Sequence, residues 1–162
     1  MPPGHCGGLV PITVDGLPCL AVLTLTELLI LRLDPGHEGQ TLATYPWATD
    51  YANNIATPAV CGQSVVVTSN YNQSRTARLD VSRKGIRMVW EAPVYSLVCS
   101  PVIHNGRVYL ACGALHCLDL DSGRLLWSGG HFGNDASILA TADDRLVVFG
   151  NHRLALVDGP SR

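Results

Sequence analysis

The stretch "CSPVIHNGRVYLACGALHCLDLDSGRLLW", residues 99–127, holds three short apolar runs separated by turn signals and ends on a tryptophan. Asn105-Gly106 and Asp121-Ser122-Gly123 are combinations at which a β-sheet reverses direction. The apolar runs are too short for amphipathic helices and contain β-branched and aromatic residues, which favours strands. The stretch therefore predicts a small antiparallel sheet.

The same order of features occurs twice more, earlier in the chain. A proline run with a turn glycine is followed by an apolar run, by a run that ends in Leu-Asp, and by a tryptophan. The tryptophans are 43 and 37 residues apart, and the prolines are 47 and 43 residues apart. A period near 40 with four short strands per unit is typical of a propeller blade. The repeated positions are Pro11, Pro58 and Pro101, Asp34, Asp80 and Asp119, and Trp47, Trp90 and Trp127.

A fourth copy, residues 136–158, lacks the final tryptophan strand. We therefore predict an all-β fold, a β-propeller segment of about three and a half four-stranded antiparallel blades. The predicted blades are residues 9–52, 53–95, 96–132 and, in part, 133–160, within one domain over residues 9–162. Residues 1–8 are predicted to form a disordered or irregular tail. A β-sandwich with regular turns is the alternative fold.

The tryptophans that close the units are predicted to pack between blades. A single blade cannot bury both faces of its sheet, so continuous apolar runs such as residues 65–67 must be covered by neighbouring blades. A large ring at the end of each unit can lie across the gap between two blades. We therefore expect Trp47, Trp90 and Trp127 to be packing residues and not a ligand platform.

The composition excludes several classes of protein. Of the 162 residues 47% are hydrophobic, and the formal net charge of −2 offers no basic patch, so we expect no nucleic-acid partner. The longest apolar stretch, residues 17–33, contains Glu27 and two threonines and predicts strands, not a transmembrane helix. The first residues lack the basic and apolar regions of a signal peptide. The compartment is therefore left open by these residues.

The six cysteines and six histidines show no spacing typical of a metal site or a disulfide framework. A turn at Gly113-Ala114 would put Cys112 and Cys117 on one face with Cβ atoms about 7 Å apart, too far for a disulfide. We expect both to be buried thiols and expect no metal site. No catalytic residue is assigned, because the sequence contains no nucleophile elbow or phosphate-binding loop.

Two polar loops are the best candidates for a binding surface. Residues 49–54 join the first two units, and residues 69–75 lengthen a hairpin of the second unit. Loops on the face of a propeller are where ligands usually bind, although asparagines also occur in turns because they tolerate left-handed backbone. The candidate ligand-binding residues, for a carbohydrate or peptide, are Tyr51, Asn53, Asn54, Tyr71, Asn72 and Arg75.

The units resemble the pyrroloquinoline-quinone-like (PQQ-like) repeat, the blade of quinoprotein dehydrogenases and of the lipoprotein that helps assemble outer-membrane β-barrels. The match is close from Ser100 to Trp127, looser in the second unit and weakest in the first, and it covers residues 9–158. The resemblance implies a β-propeller and an extracytoplasmic or periplasmic location. Family enzymes hold the quinone above a tryptophan with calcium bound by Glu and Asn. The glutamates of this chain, Glu27, Glu38 and Glu91, lie in no recognised calcium motif.

We therefore expect a non-catalytic PQQ-like propeller module for binding or scaffolding, with no cofactor. One alternative is a fragment of a PQQ- and calcium-dependent alcohol or sugar dehydrogenase. The other is an assembly factor that binds peptide strands at blade edges. Because family rings usually hold seven or eight blades, a shorter arc leaves open faces. We expect the C-terminal half of a longer propeller, or a chain that pairs with another protein or with itself.

Overall fold

The computed structural model describes residues 7–158, so nearly all of the predicted N-terminal tail and the last four residues lie outside the described part. Within it, short strands alternate with tight turns, as the spacing of apolar runs and turn residues requires. One 3-10 helix, Asp50–Ala52, interrupts the strand pattern. The strands are β1 Leu9–Val14, β2 Leu17–Leu23, β3 Glu27–Arg32, β4 Thr41–Pro46, β5 Ala59–Cys61, β6 Ser64–Ser69, β7 Arg75–Ser82, β8 Gly85–Ala92, β9 Val102–His104, β10 Arg107–Asp119, β11 Leu125–Gly133, β12 Ser137–Ala140, β13 Arg145–Gly150 and β14 Arg153–Asp158.

The strands form four small antiparallel sheets in chain order, arranged as a four-bladed propeller. The first blade is β1 to β4, the second is β5 to β8, the third is β9 to β11, and the fourth is β12 to β14. Sequential strands pair in every blade, and the innermost strands β1, β5, β9 and β12 contact one another in turn. The prediction of an all-β propeller with a fourth blade short of one strand is confirmed for the described residues.

The long strand β10 is a hairpin and gives the third blade its four-stranded shape. Arg107 Nη1 lies 2.9 Å from Asp119 Oδ2, so the two ends of the strand lie side by side. The amide of Leu120 also donates to the carbonyl of Gly106 at 3.0 Å. The chain reverses near Gly113, whose φ of 72° favours glycine. The two halves of β10 therefore occupy the second and third strand positions of the blade.

Three apolar clusters lie between consecutive blades and hold the propeller together. The first and second blades share a cluster that includes Cys19, Ala21 and Val65, the second and third share one around Val66, and the third and fourth share one around Tyr109. Alternate residues of a strand point to opposite faces, so each inner blade supplies one set of residues to each neighbour. Burial between blades thus explains the continuous apolar runs of the sequence.

The tryptophans occupy these clusters. Trp47 is 1% exposed in the cluster between the first two blades, and its Nε1 donates to Ser69 Oγ at 2.7 Å. Trp90 is 8% exposed between the second and third blades, where its Nε1 donates to the carbonyl of Leu120 at 2.8 Å. Trp127 is partly buried against the third cluster, with its ring centroid 6.2 Å from that of Tyr109.

A repeated hydrogen bond joins the innermost segments of the blades. The hydroxyl of Thr57 accepts from the amide of Gly8 at 2.8 Å, and the hydroxyl of Ser100 accepts from the amide of Thr57 at 3.0 Å. Thr57 and Ser100 precede Pro58 and Pro101, so the Ser/Thr-Pro pairs of the second and third repeats each fasten a blade to the preceding one. No helix in residues 7–158 is both long and apolar enough to span a membrane.

Candidate functional site

The two predicted polar loops come together on one face of the propeller. Strands alternate in direction within a blade, so the connector after the fourth strand and the loop after the second strand leave from the same face. The connector after β4 and the loop between β6 and β7 therefore both project from this face, at the junction of the first two blades. We call the exposed and half-buried side chains of this surface, together with Glu91 of β8, the platform: Asp50, Tyr51, Tyr71, Asn72, Arg75 and Glu91.

The connector presents Tyr51 to solvent in a strained conformation. Tyr51 has φ 65° and ψ 12°, a left-handed conformation that bulky residues rarely adopt, and it is 86% exposed. The turn is held from inside by Thr49, whose hydroxyl accepts from the amide of Asn53 at 2.9 Å. Asn53 is half-buried, and its side-chain Oδ1 is buried without a hydrogen-bond partner. The backbone strain at Tyr51 thus costs conformational free energy, and the result is an aromatic ring held in an exposed position.

The loop between β6 and β7 is strained in the same way and is tied to the connector. Tyr71 has φ 57° and Asn72 has φ 67°. The amide of Asp50 donates to the carbonyl of Tyr71 at 3.2 Å, and the side-chain amide of Asn72 donates to the Asp50 carboxylate. The connector after β4 and the loop between β6 and β7 therefore form one connected surface. The two loops cannot move apart without breaking these hydrogen bonds.

Arg75 links the platform to the core beneath it. Its guanidinium carbon lies 4.3 Å from the centre of the Trp47 ring, which is cation–π geometry, and its Nη1 lies 2.8 Å from Glu91 Oε2. Its Nε is buried without a hydrogen-bond partner. Arg75 is therefore oriented from two sides and keeps an unused donor. The sequence did not point to Asp50 or Glu91, because only the pairing of strands and loops brings these carboxylates to the predicted residues.

Asn54, also predicted as a ligand contact, has a different position. It is 0% exposed, and its Nδ2 donates to the carbonyls of Thr24, Leu25 and Trp47 at 2.8, 3.2 and 2.9 Å. Its Oδ1 accepts from Ser69 Oγ at 2.8 Å. The side chain has no free polar atom and no path to solvent. Asn54 supports the platform from below.

A second concave site lies between the connector that follows β8 and the strands β10 and β11 of the third blade. It has a volume of about 280 Å³ and is lined by Tyr95, Cys112, His116 and Ser128, among others. His116 Nε2 lies 3.2 Å from the carbonyl of Cys112, which can only accept, so Nε2 carries the proton and Nδ1 accepts from Ser128 Oγ at 2.7 Å. In the described part of the chain the two ring nitrogens of this histidine thus bond to a hydroxyl and a carbonyl, and not to a carboxylate.

The cysteines are free thiols among the described residues. Burial raises the pKa of Cys19, Cys99 and Cys117, which keeps these thiols protonated. The predicted common face of Cys112 and Cys117 is wrong: Cys117 is fully buried in the cluster with Tyr109, whereas Cys112 is half-buried in the groove beside His116. The Arg107–Asp119 pairing gives the β10 hairpin a longer turn than Gly113-Ala114, so Cys112 lies in the turn.

The three glutamates lie in different parts of the fold. Glu27 lies at the start of β3, Glu38 is exposed in the loop after β3, and Glu91 of β8 is engaged by Arg75. No group of three or more His, Cys, Asp or Glu residues in the region 7–158 is placed to hold a metal ion. The glutamates therefore belong to three separate places in the fold.

No protein-family model and no curated protein matches the sequence. Solved structures do match the fold. BamB from Moraxella catarrhalis has a TM-score of 0.68 at 20% identity, over 94% of this chain and 46% of that chain. The computationally designed Ika4 protein has a TM-score of 0.67 at 10% identity, over 99% of this chain and 96% of that chain.

A third match is the quinohemoprotein alcohol dehydrogenase ADHIIG from Pseudomonas putida HK5, with a TM-score of 0.55 at 16% identity over 79% of this chain and 21% of that chain. The chain thus spans about half the length of the BamB structure and about a fifth of the dehydrogenase. At these identities the likeness concerns the fold alone. The chain has the fold of the PQQ-like β-propellers.

Proposed function

We propose that this chain is a non-catalytic propeller module that binds a protein segment on the platform. The observation that carries the proposal is the left-handed backbone of Tyr51 and Tyr71, which lie in two loops that hydrogen-bond to each other. Residues in such conformations cost free energy, roughly 1–3 kcal/mol each, and cluster at binding sites. Here the cost falls on two tyrosines whose loops hydrogen-bond to each other.

The chemistry of the platform fits a peptide or protein ligand. Tyrosine and arginine are the residues that most often dominate binding energy at protein interfaces, and asparagine supplies adaptable hydrogen bonds. Arg75 offers a donor, whereas Asp50 and Glu91 offer acceptors within the same surface. An extended segment with mixed polar and apolar side chains would find partners for both its backbone and its side chains.

Peptide display against the purified protein tests this proposal. Tyr51→Asn and Tyr71→Asn remove the rings but keep a residue that tolerates left-handed backbone, so the loops are expected to keep their shape. We expect selected peptides to bind each variant about tenfold or more weakly than the wild type. Tyr95→Ala, outside the platform, is the control and should bind normally. Failure to select any sequence, or equal binding by both tyrosine variants, would overturn the proposal.

We also propose that binding requires neither quinone nor calcium. The separation of Glu27, Glu38 and Glu91 supports this. The test is titration with PQQ plus calcium, followed by absorbance and by thermal unfolding. We expect no spectral change and no rise in Tm at high ligand; a saturable rise in both would favour the dehydrogenase-fragment alternative.

Strand addition is the second candidate, and the shape of the fourth blade favours it. In the first two blades the third strand pairs with an outer fourth strand, whereas β14 has no outer partner among the described residues. An unpaired edge accepts extended peptides through backbone hydrogen bonds. A synthetic peptide with the sequence of β8, GIRMVWEA, is the probe. Strand addition predicts binding that is lost when alternate peptide nitrogens are methylated and that does not depend on Tyr51 or Tyr71.

The PQQ-like fold suggests an extracytoplasmic compartment, and we propose that location for this chain. Fractionation of the source cells followed by immunoblotting tests it. Recovery with the extracytoplasmic fraction is expected, and recovery with cytoplasmic markers alone would contradict it.

A further inference from the structure

We infer that a second copy of this chain completes the ring, with the fourth blade of each copy packed on the first blade of the other. The inference does not rest on the proposed platform function. It rests on two uncovered sheet faces at the ends of the arc. Clusters join the first blade to the second, the second to the third and the third to the fourth, but none in the described residues joins the fourth to the first.

The fourth blade has one buried face and one apolar face that no other element within residues 7–158 covers. Every second residue of β13, such as Leu146 and Val148, lies in the cluster shared with the third blade. The residues that alternate with them point to the opposite face and lie in register across the sheet, since Val147 pairs with Leu156. The large apolar members of this face are Leu139 at 64%, Phe149 at 53%, Leu154 at 73% and Leu156 at 56% exposed.

The first blade has the complementary open face. Cys19 and Ala21 point toward the second blade, so the residues between them point away from it. Leu20 pairs with Pro11 and with Leu31, and Val22 pairs with Leu9. These side chains are half-buried or exposed, with Leu9 at 62%. The face that points away from the second blade is therefore apolar as well.

The open faces of the fourth and first blades correspond to the two faces that pack together at each interface between consecutive blades within one copy. The turn before the second strand aligns the blades: Val147 takes the place that Val66 has in the second blade, facing forward to the next blade. Leu20 takes the place of Val67, facing back to the previous blade. Forward faces pack on backward faces at all three junctions. The fourth blade of one copy therefore suits the first blade of another.

The size of the arc favours closure by one additional copy. This chain matches 46% of the BamB structure over 94% of its own length, so four more blades correspond to the length that remains there. Two half rings related by a twofold axis form two identical interfaces and leave no open face. An isolated copy would instead keep an apolar patch that soluble monomers rarely expose.

Sedimentation-velocity ultracentrifugation of the full chain tests the inference. We expect the wild type to sediment as a dimer at concentrations from about 1 to 100 µM, the range of ordinary specific interfaces. Phe149→Glu on the fourth blade and Leu9→Glu on the first blade should each give monomers, because each buries a charge in both interfaces. Both positions are more than half exposed in the single copy, so these variants should fold normally by circular dichroism.

Mixing the variants establishes the direction of pairing. In a one-to-one mixture, the intact first blade of the Phe149→Glu chain can pack on the intact fourth blade of the Leu9→Glu chain, so dimers should reappear. Leu125→Glu changes a side chain that is 46% exposed on β11, away from both faces, and should remain dimeric. A wild-type monomer at about 100 µM would overturn the inference. So would a dimer that persists in either single variant, which would indicate like-to-like pairing.

Discussion

Asn54 shows at the scale of one residue how the propeller supports its candidate site. A single buried amide joins the connector of the first blade, the loop after β2 and the second strand of the second blade. Each of these bonds replaces a bond to water that burial has removed. The residue therefore fixes the relative position of the loops that carry Tyr51 and Tyr71.

Replacement of Asn54 by alanine should destabilise the protein by about 2 kcal/mol or more, because three carbonyl groups lose a donor and the Ser69 hydroxyl loses its acceptor inside the structure. Chemical denaturation monitored by tryptophan fluorescence measures the change. Asn134→Ala, at an exposed position, is the matched control and should change stability by less than about 0.5 kcal/mol. Equal stability of the two variants would contradict the supporting part assigned to Asn54.

Two aspartates make stability sensitive to acid. Arg32 donates to Asp34 at 2.8 Å and holds its pKa at about 2, and Arg145 with Thr141 holds the pKa of Asp143 at about 2. Both folded-state values are below the ordinary aspartate pKa, so the stabilisation is present above about pH 4 and is lost as the pH falls toward 2. Asp34→Asn should flatten the stability profile between pH 4 and 2. Glu38→Gln, at an exposed position, should retain the wild-type slope.

The junction between the second and third blades illustrates packing at the scale of the element. Trp90 of β8 lies under the turn that follows β10 and donates to the carbonyl of Leu120. Gly123 in that turn has φ 71°, and a Cβ there would lie 2.5 Å from the Trp90 ring. The glycine is thus required both by the backbone conformation and by the close approach of the ring.

Gly123→Ala should therefore cost more stability than a change at a glycine that has only the backbone constraint. Gly36 is the matched control, because it has φ 80° and open space where a Cβ would be added. We expect Gly36→Ala to cost about 1 kcal/mol and Gly123→Ala to cost roughly 1–3 kcal/mol more, since the Trp90 ring must move. Thermal unfolding of both variants measures the difference. Similar Tm values would show that the turn moves away from the ring at little cost.

The blades could be predicted from the sequence because the turn chemistry and the apolar runs recur with a fixed order. Asn105-Gly106 marks a tight turn that needs no distant partner to form. The turn of the β10 hairpin was harder to predict, because the same residues are compatible with a turn at Gly113-Ala114 and with the longer turn that includes Cys112. The loops of the platform were also found, as polar insertions. The hydrogen bonds of Asp50 and the ion pair of Glu91 depend on contacts between blades, which no local pattern encodes.

At the scale of the whole molecule, stability is distributed along a row of blades. Each blade packs mainly on its neighbours, so stability is approximately a sum of blade and interface contributions. The second and third blades have a neighbour on both sides. The fourth blade has one covered face, and its other face carries the exposed Phe149 and Leu154. An isolated copy should therefore open first at this end.

Amide hydrogen exchange read by mass spectrometry checks this order of stability. In the monomeric Phe149→Glu variant, we expect the peptides of β13 and β14 to exchange at least about tenfold faster than those of β6 and β7, which are covered on both faces. In the dimeric wild type, exchange in β13 and β14 and in β2 should slow together, because the proposed interfaces cover these strands. The Leu125→Glu control should match the wild type. If β6 and β7 exchanged as fast as β14 in the monomer, the propeller would open as one cooperative unit, and burial at each junction would not be the source of local stability.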